Sequence, residues 1–160
     1  MAVTRGNLIS GPAISVTIGG TNIGGTLGPV GFRKEVIHQE DRADQREGIL
    51  VKKEDDVRYY IIIPMAEVSL ANMRVALNQA SANLVGSTLT LDEDVNGEVA
   101  VVFTGNKNST GGTRTFTYSI CVLHSIEPVL YGRQQQQALN VEFEVLQNAS
   151  DGSWGTVVDS

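Results

Sequence analysis

Four residues of the stretch "DEDVNGEVAVVF", Asp92, Asp94, Asn96 and Gly97, fall at positions one, three, five and six of a calcium-binding EF-hand loop. Such a loop takes oxygen ligands at alternate positions and a glycine at its sharp bend. Position twelve, where a bidentate glutamate completes the calcium shell, is Phe103. The flanks read as strands, so Asn96 and Gly97 are expected to form a hairpin turn, which leaves room only for weak, adventitious calcium binding. His38 and His124 lie in different segments without H-E-x-x-H or paired-cysteine spacing, and nothing gathers ligands around them. Cys121 and His124 have the chemistry of a nucleophile and a base, but a spacing of three on a strand points them to opposite faces. No serine stands in a G-x-S-x-G elbow, and Glu142 and Glu144 are explained by a solvated strand face. No catalytic residue, metal site or cofactor is assigned.

The run "GGTNIGGTLGPVGF", Gly19 to Phe32, places six glycines among fourteen residues. A Walker loop would follow Gly24 with lysine and then serine or threonine, whereas Gly25 and Thr26 stand there. The dinucleotide fingerprint fails as well, because the G-x-G-x-x-G spacing is absent and an extended, charged segment follows where a helix is needed. The glycines therefore read as structural turns, at Gly19, Gly20, Gly24 and Gly25.

The elements around these residues are mostly strands. "AISVTI" alternates Ile14, Val16 and Ile18 with small polar residues, and "GGTN" then turns the chain into "IGGT", which reads as a hairpin. "VGFRKEVIHQE" is a strand of mixed polarity, "DRADQREG" a charged loop, and "VRYYIIIP" a β-branched and aromatic strand expected to stop at Pro64. In "TRTFTYSICVLHSIEPV", Phe116, Tyr118, Ile120 and Val122 are expected on one face and Thr115, Thr117, Ser119 and Cys121 on the other. "ALNVEFEVL" repeats the device, with Val141, Phe143 and Val145 inward. The spacing predicts one helix over about residues 69–80, with Ser69 as cap and Leu70, Met73, Leu77 and Ala80 as its apolar stripe. The fold class is mainly β, a β-sandwich or half-open barrel with one flanking α-helix.

At 160 residues the chain suits one domain, since a chain of this size buries roughly 68–70% of its unfolded surface. A single cysteine rules out an intrachain disulfide and fits a reducing cytoplasm. The net charge of −6 argues against a protein that grips nucleic acid, because phosphate binding needs clustered Lys and Arg. Nowhere do eighteen apolar residues run together, and the N-terminal "MAVTRGNLISGPAISV" shows no signal-peptide pattern, so the chain reads as soluble, unexported and without a membrane anchor. Trp154 suits either an interface or the domain's own core.

The ordered series "SGPAISVTIGGTNIGGTLGPVGF", "DRADQREG" and "VRYYIIIPMAEVSLANMRVAL" resembles phage tail tube proteins, also called major tail proteins. The likeness covers mainly residues 10–80. It rests on the Gly-Pro entry, the "IGG…GGT" fold-back, the pair Asp44 and Gln45, and a strand ending "PMAE" before the helix. The C-terminal half matches in general character, being strand-rich with a loop "GNKNSTGGTR".

The resemblance implies one tail-tube-like domain over residues 1–160, with short flexible N- and C-terminal segments. It implies protomers that join sheets into a hexameric ring around a channel, and rings that stack into a tube through which DNA passes without specific binding. An acidic wall would then reduce sticking. The partners implied are further copies of the chain, a tape-measure protein, and tail-terminator or baseplate proteins, in a virion tail made in the cytoplasm of the bacterial host. Asp41, Arg42, Asp44, Gln45, Arg46 and Glu47 alternate in sign and are read either as a solvated hairpin loop or as a stacking element that reaches the next ring. The competing class is a monomeric β-sandwich that binds sugar or a small ligand, which concentration-dependent assembly separates from a tube protein.

The absence of the position-twelve glutamate generates a direct expectation. Chelation with EDTA leaves the melting temperature unchanged, and a large chelator-induced drop would reveal a structural calcium site.

Overall fold

A computed structural model describes residues 13–41, 51–66, 69–92, 97–107, 112–127 and 139–160. The strands are β1 (Ser15–Ile18), β2 (Thr21–Gly24), β3 (Gly31–Asp41), β4 (Val51–Met65), β5 (Leu84–Val85), β6 (Thr88–Leu89), β7 (Val99–Asn106), β8 (Thr113–Ile126), β9 (Leu139–Val145) and β10 (Thr156–Asp159), with α1 (Leu70–Ala76) between β4 and β5. One antiparallel sheet runs β2-β1-β7-β8-β9-β4-β3, with β10 attached to β8, while β5 and β6 form a separate hairpin. The sheet curls until Thr26, just past β2, bridges Met65 of β4, and the Leu27 N–H donates to the Pro64 carbonyl at 3.0 Å. The mainly β architecture with one flanking helix matches the expectation from sequence. No helix among the described residues is long and apolar enough to cross a membrane.

Glycine makes the first hairpin possible. Gly19 and Gly20 both adopt positive φ, 54° and 80°, the left-handed pair that a two-residue turn needs to follow the twist of its strands. Val16 and Ile18 on β1 and Ile23 on β2 are then buried, whereas Ile14, which precedes β1, is 49% exposed. Across the sheet, Ile61 and Ile63 of β4 pair with Phe143 and Val141 of β9, and all four are fully buried. The inward set expected for β9 is therefore in place.

β8 departs from simple alternation. Its register against β7 shifts between Val101↔Tyr118 and Val99↔Cys121, so β8 carries one extra residue there. This β-bulge restarts the inside-outside phase and turns both Tyr118 and Cys121 into the core. Cys121 therefore does not share a polar face with Ser119. A second register shift follows against β9, between Leu123 and Ser125.

Further expectations are corrected. β4 runs through Pro64 to Met65, because the Pro64 carbonyl bonds Leu27 on the side away from β9, and the missing N–H costs no bond to β9. The strands flanking Asn96 and Gly97 do not form a hairpin together: β6 pairs with β5, and β7 lies between β1 and β8. Residues 93–96, Asn96 among them, lie outside the described residues, and Gly97 holds a positive φ of 71° just before β7.

The helix is shorter than residues 69–80 and rotated from its expected face. Ser69 caps it as expected, its Oγ accepting from the Asn72 N–H at 3.2 Å. The buried residues are Asn72, Val75 and Ala76, while Leu70 is 40% exposed. Asn72 is drawn inward by donating Nδ2 to the Ile23 carbonyl at 3.3 Å. Asn78 ends the helix at φ 54°, with its N–H on the Val75 carbonyl and the Gln79 N–H on the Arg74 carbonyl, a Schellman stop with asparagine in the place usually held by glycine. Where a loose C-terminal segment is expected, residues Thr156–Asp159 form β10.

Phe143→Ala should destabilise the domain by about 3–5 kcal/mol in urea titrations, with the half-buried Leu77→Ala costing clearly less. Equal losses at the two sites would contradict this core.

Candidate functional site

The chemistry weighed from sequence is dispersed in the fold. Asp92 is absorbed by structure: its backbone carbonyl accepts from Gln79 Nε2 at 3.1 Å and its Oδ1 from Asn83 Nδ2 at 2.8 Å. Asn78 Nδ2 donates to the Gly97 carbonyl at 2.7 Å, so the described ends of the acidic loop are tied to the end of α1. Among the described residues no group of three His, Cys, Asp or Glu side chains could hold a metal.

Cys121 and His124 do not form a dyad. Cys121 is fully buried, its Sγ bonds the Tyr118 carbonyl at 3.9 Å, and burial pushes its thiol up to about 12. Burial, with a smaller contribution from Cys121, also raises the Tyr118 phenol to about 12. His124 lies on the outer face, with its ring 4.9 Å from that of Tyr60 and Nδ1 3.8 Å from Glu144 Oε2.

Glu142 and Glu144 lie on the outer face, as a solvated strand face implies, but are half-buried and partnered there. Arg33 donates to Glu142 at 2.8 Å and lays its guanidinium 4.5 Å from the Tyr60 ring centre, and Ser125 Oγ donates to Glu142 at 2.9 Å. This polar network covers Tyr60, which is only 3% exposed on the outer face of the sheet. Arg33 and Ser125 thus both hold Glu142, and beside it Ser125, Glu127 and Asn140 line a shallow depression of about 100 Å³.

The inner face carries a row of rings: Trp154, Tyr59, Phe32, Tyr118, Phe103 and Phe116, with successive centroids 4.6–6.1 Å apart. Trp154 thus packs against its own domain. Phe32, in contrast, is 51% exposed. Beside it lies an apolar cleft of about 120 Å³ lined by Ala13, Pro29, Val30, Phe103, Gly105 and Phe116. A small-molecule site typically offers roughly 300–1,000 Å³ and a few convergent polar groups. This cleft is smaller, and its lining side chains are apolar.

The features most unlike a self-contained domain are at the margins of the sheet. β3 pairs with β4 along its whole length, from Gly31↔Ile62 to Asp41↔Val51, but β9 pairs with β4 only at Tyr59–Met65. Residues 35–41 and 51–58 therefore form a two-stranded ribbon beyond the main sheet. Of the proposed stacking residues, Asp41 ends β3, while Arg42, Asp44, Gln45, Arg46 and Glu47 lie outside the described residues. The ribbon directs both ends of that loop outward. On the ribbon, Ile37 is 38% exposed, Arg58 Nε donates to Asp56 at 2.9 Å, and this bond holds the Asp56 carboxyl below its ordinary 3.8.

The turn glycines differ in what they do. Gly19, Gly20 and Gly24 hold positive φ, whereas a side chain on Gly25 would meet only the Ala13 carbonyl oxygen, at an ordinary 3.8 Å. Close approach occurs instead at Gly155, where a Cβ would stand 2.6 Å from the Tyr118 ring and 2.7 Å from the Thr117 carbonyl oxygen. A lone Gly following Trp carries no turn signature, so sequence reasoning passed over it.

No protein-family model matches this chain, and no curated protein matches it.

The buried thiol generates a chemical test. In native buffer at neutral pH Cys121 should resist Ellman's reagent and should react stoichiometrically once urea unfolds the domain; fast labelling of the native protein would contradict its burial.

Proposed function

We propose that the protein is a self-assembling structural subunit, a phage tail tube protein whose copies join into hexameric rings that stack around a DNA channel. The observation that carries this reading is the β3–β4 ribbon. An isolated two-stranded ribbon is marginal in water, because it has no second layer on which to bury a face. A ribbon projecting from a folded sheet with Ile37 exposed gains a second layer when it lies against another copy.

The sheet margins support the same reading. Among the described residues β3 and β10 each leave one edge without a partner strand, and a monomeric binding module usually blunts such edges. The row of rings includes exposed Phe32, beside an apolar cleft too small for a typical ligand, which suits a protein contact better than a sugar. The acidic balance suits a wall along which DNA slides. In this proposal residues 41–47 stack ring on ring, no cofactor is used, and the tube meets tape-measure and tail-terminator or baseplate proteins in the virion tail.

Stacking through alternating charges rests on terms of about 0–1 kcal/mol per exposed pair, multiplied by sixfold repetition. Asp44→Ala combined with Arg46→Ala should leave rings intact in negative-stain micrographs while shortening or abolishing tubes, and high salt should weaken stacking more than ring closure. Wild-type-length tubes from the double variant would return the loop to a solvated hairpin tip.

A further inference from the structure

Strand β10 belongs to the sheet by its backbone and hardly at all by its side chains. All four of its residues are exposed, with Val157 at 56% and Val158 at 54%, on opposite faces. It therefore buries little apolar surface, the term that holds β1, β4, β7 and β9 in the sheet. Three things keep it in place. The ladder to β8 runs Thr156↔Thr117 through Asp159↔Arg114 and ends in a reciprocal pair between Ser160 and Thr113, each bond 3.0 Å. Asp159 receives Arg114 through both oxygens, at 2.5 and 2.8 Å, and Lys107 at 3.1 Å. Gly155 lets the chain lie directly on Tyr118.

The chain just before β10 is anchored in a different way. Within residues 147–153 the Asn148 N–H bonds the Ser153 carbonyl at 2.8 Å and Gln147 Nε2 bonds the Gly152 carbonyl at 2.8 Å. Trp154 then packs on Tyr59, with centroids 4.9 Å apart. The transition from packed chain to exposed strand falls at Gly155.

We propose that β10 is a latch that opens independently of the core, hinged at Gly155 and held shut by Asp159 between Arg114 and Lys107. Its opening bares the β8 edge at Thr113, Thr115 and Thr117. Because Thr113 and Ser160 exchange bonds, alternation along β8 directs the N–H groups of Thr115 and Thr117 to β10 and that of Phe116 to β7. The open state thus presents a row of unpaired groups able to take another extended strand. The latch stands whether or not the protein forms tubes.

The clamp is ionic and solvent-accessible, so salt weakens it. Arg114, with a smaller contribution from Lys107, also holds the Asp159 carboxyl well below its ordinary 3.8. A lowered carboxyl contributes stability that is complete above 3.8 and is lost progressively as pH falls below it. Acid therefore weakens the clamp and neutral pH restores it.

Native-state hydrogen exchange followed by NMR on the full chain tests this, because neighbouring amides of one strand report different neighbours. The latch requires Thr115 and Thr117 to exchange faster than Phe116. Asp159→Asn should accelerate Thr115 and Thr117 by about fivefold, as expected for loss of an exposed ion pair, and leave Phe116 unchanged. High salt should do the same to the wild-type protein and less to the variant. Exchange of all three amides at one common rate, or Thr115 and Thr117 rates indifferent to Asp159→Asn, would overturn the latch.

Discussion

A β-strand has two hydrogen-bonding edges, and β8 divides one of them. Along one side it pairs with β7 from Thr113 to Cys121; along the other, β9 takes Cys121–Ile126 and β10 takes Arg114–Thr117. The bulge beside Cys121 makes this division compatible with one core, because it resets the phase so that Tyr118 and Cys121 both point inward. Without that reset, one half of β8 would bury its polar side chains. The curl of the sheet, the row of rings and the docking of Gly155 on Tyr118 all depend on where this phase changes.

The division also sets what is left open. β9 continues to β4 and β3 only over the half of β8 it covers, so the distal parts of β3 and β4 extend as a ribbon with no third strand among the described residues. On the other half, β10 closes the edge through backbone and ion pairs alone. The two margins therefore have different strengths. The ribbon is long and tied to the core at its base, and β10 is short and held by charge. These margins are why we propose assembly over the binding of a small ligand.

Much of this was legible from residue patterns where local physics decides. Paired glycines specify the first turn, strict alternation in "NVEFEV" specifies β9, and Ser69 marks the start of the helix. The rest depended on tertiary choices that no local pattern contains. The phase of β8 broke because a bulge, set by pairing with β7, overrides alternation in "FTYSIC". The helix turned Asn72 inward beside Val75 and Ala76 because Asn72 finds the Ile23 carbonyl from a hairpin distant in sequence. Pro64 sits inside β4 because its missing N–H faces the side where β3 has already ended. Asn96 and Gly97 resemble a hairpin signal, but the strand before them is committed to β5. Of the candidate site, the charged composition of residues 41–47 was readable, whereas the ribbon that carries them and the latch at β10 are properties of strand pairing.

Sedimentation velocity across a wide range of protein concentration tests the central claim, that this chain is a subunit and not a finished domain. A reversible shift from a 17.2 kDa species to closed oligomers about six times that mass, followed by longer particles, is the predicted result. A single monomeric species persisting to the highest concentrations, under conditions where the fold is intact, would contradict it.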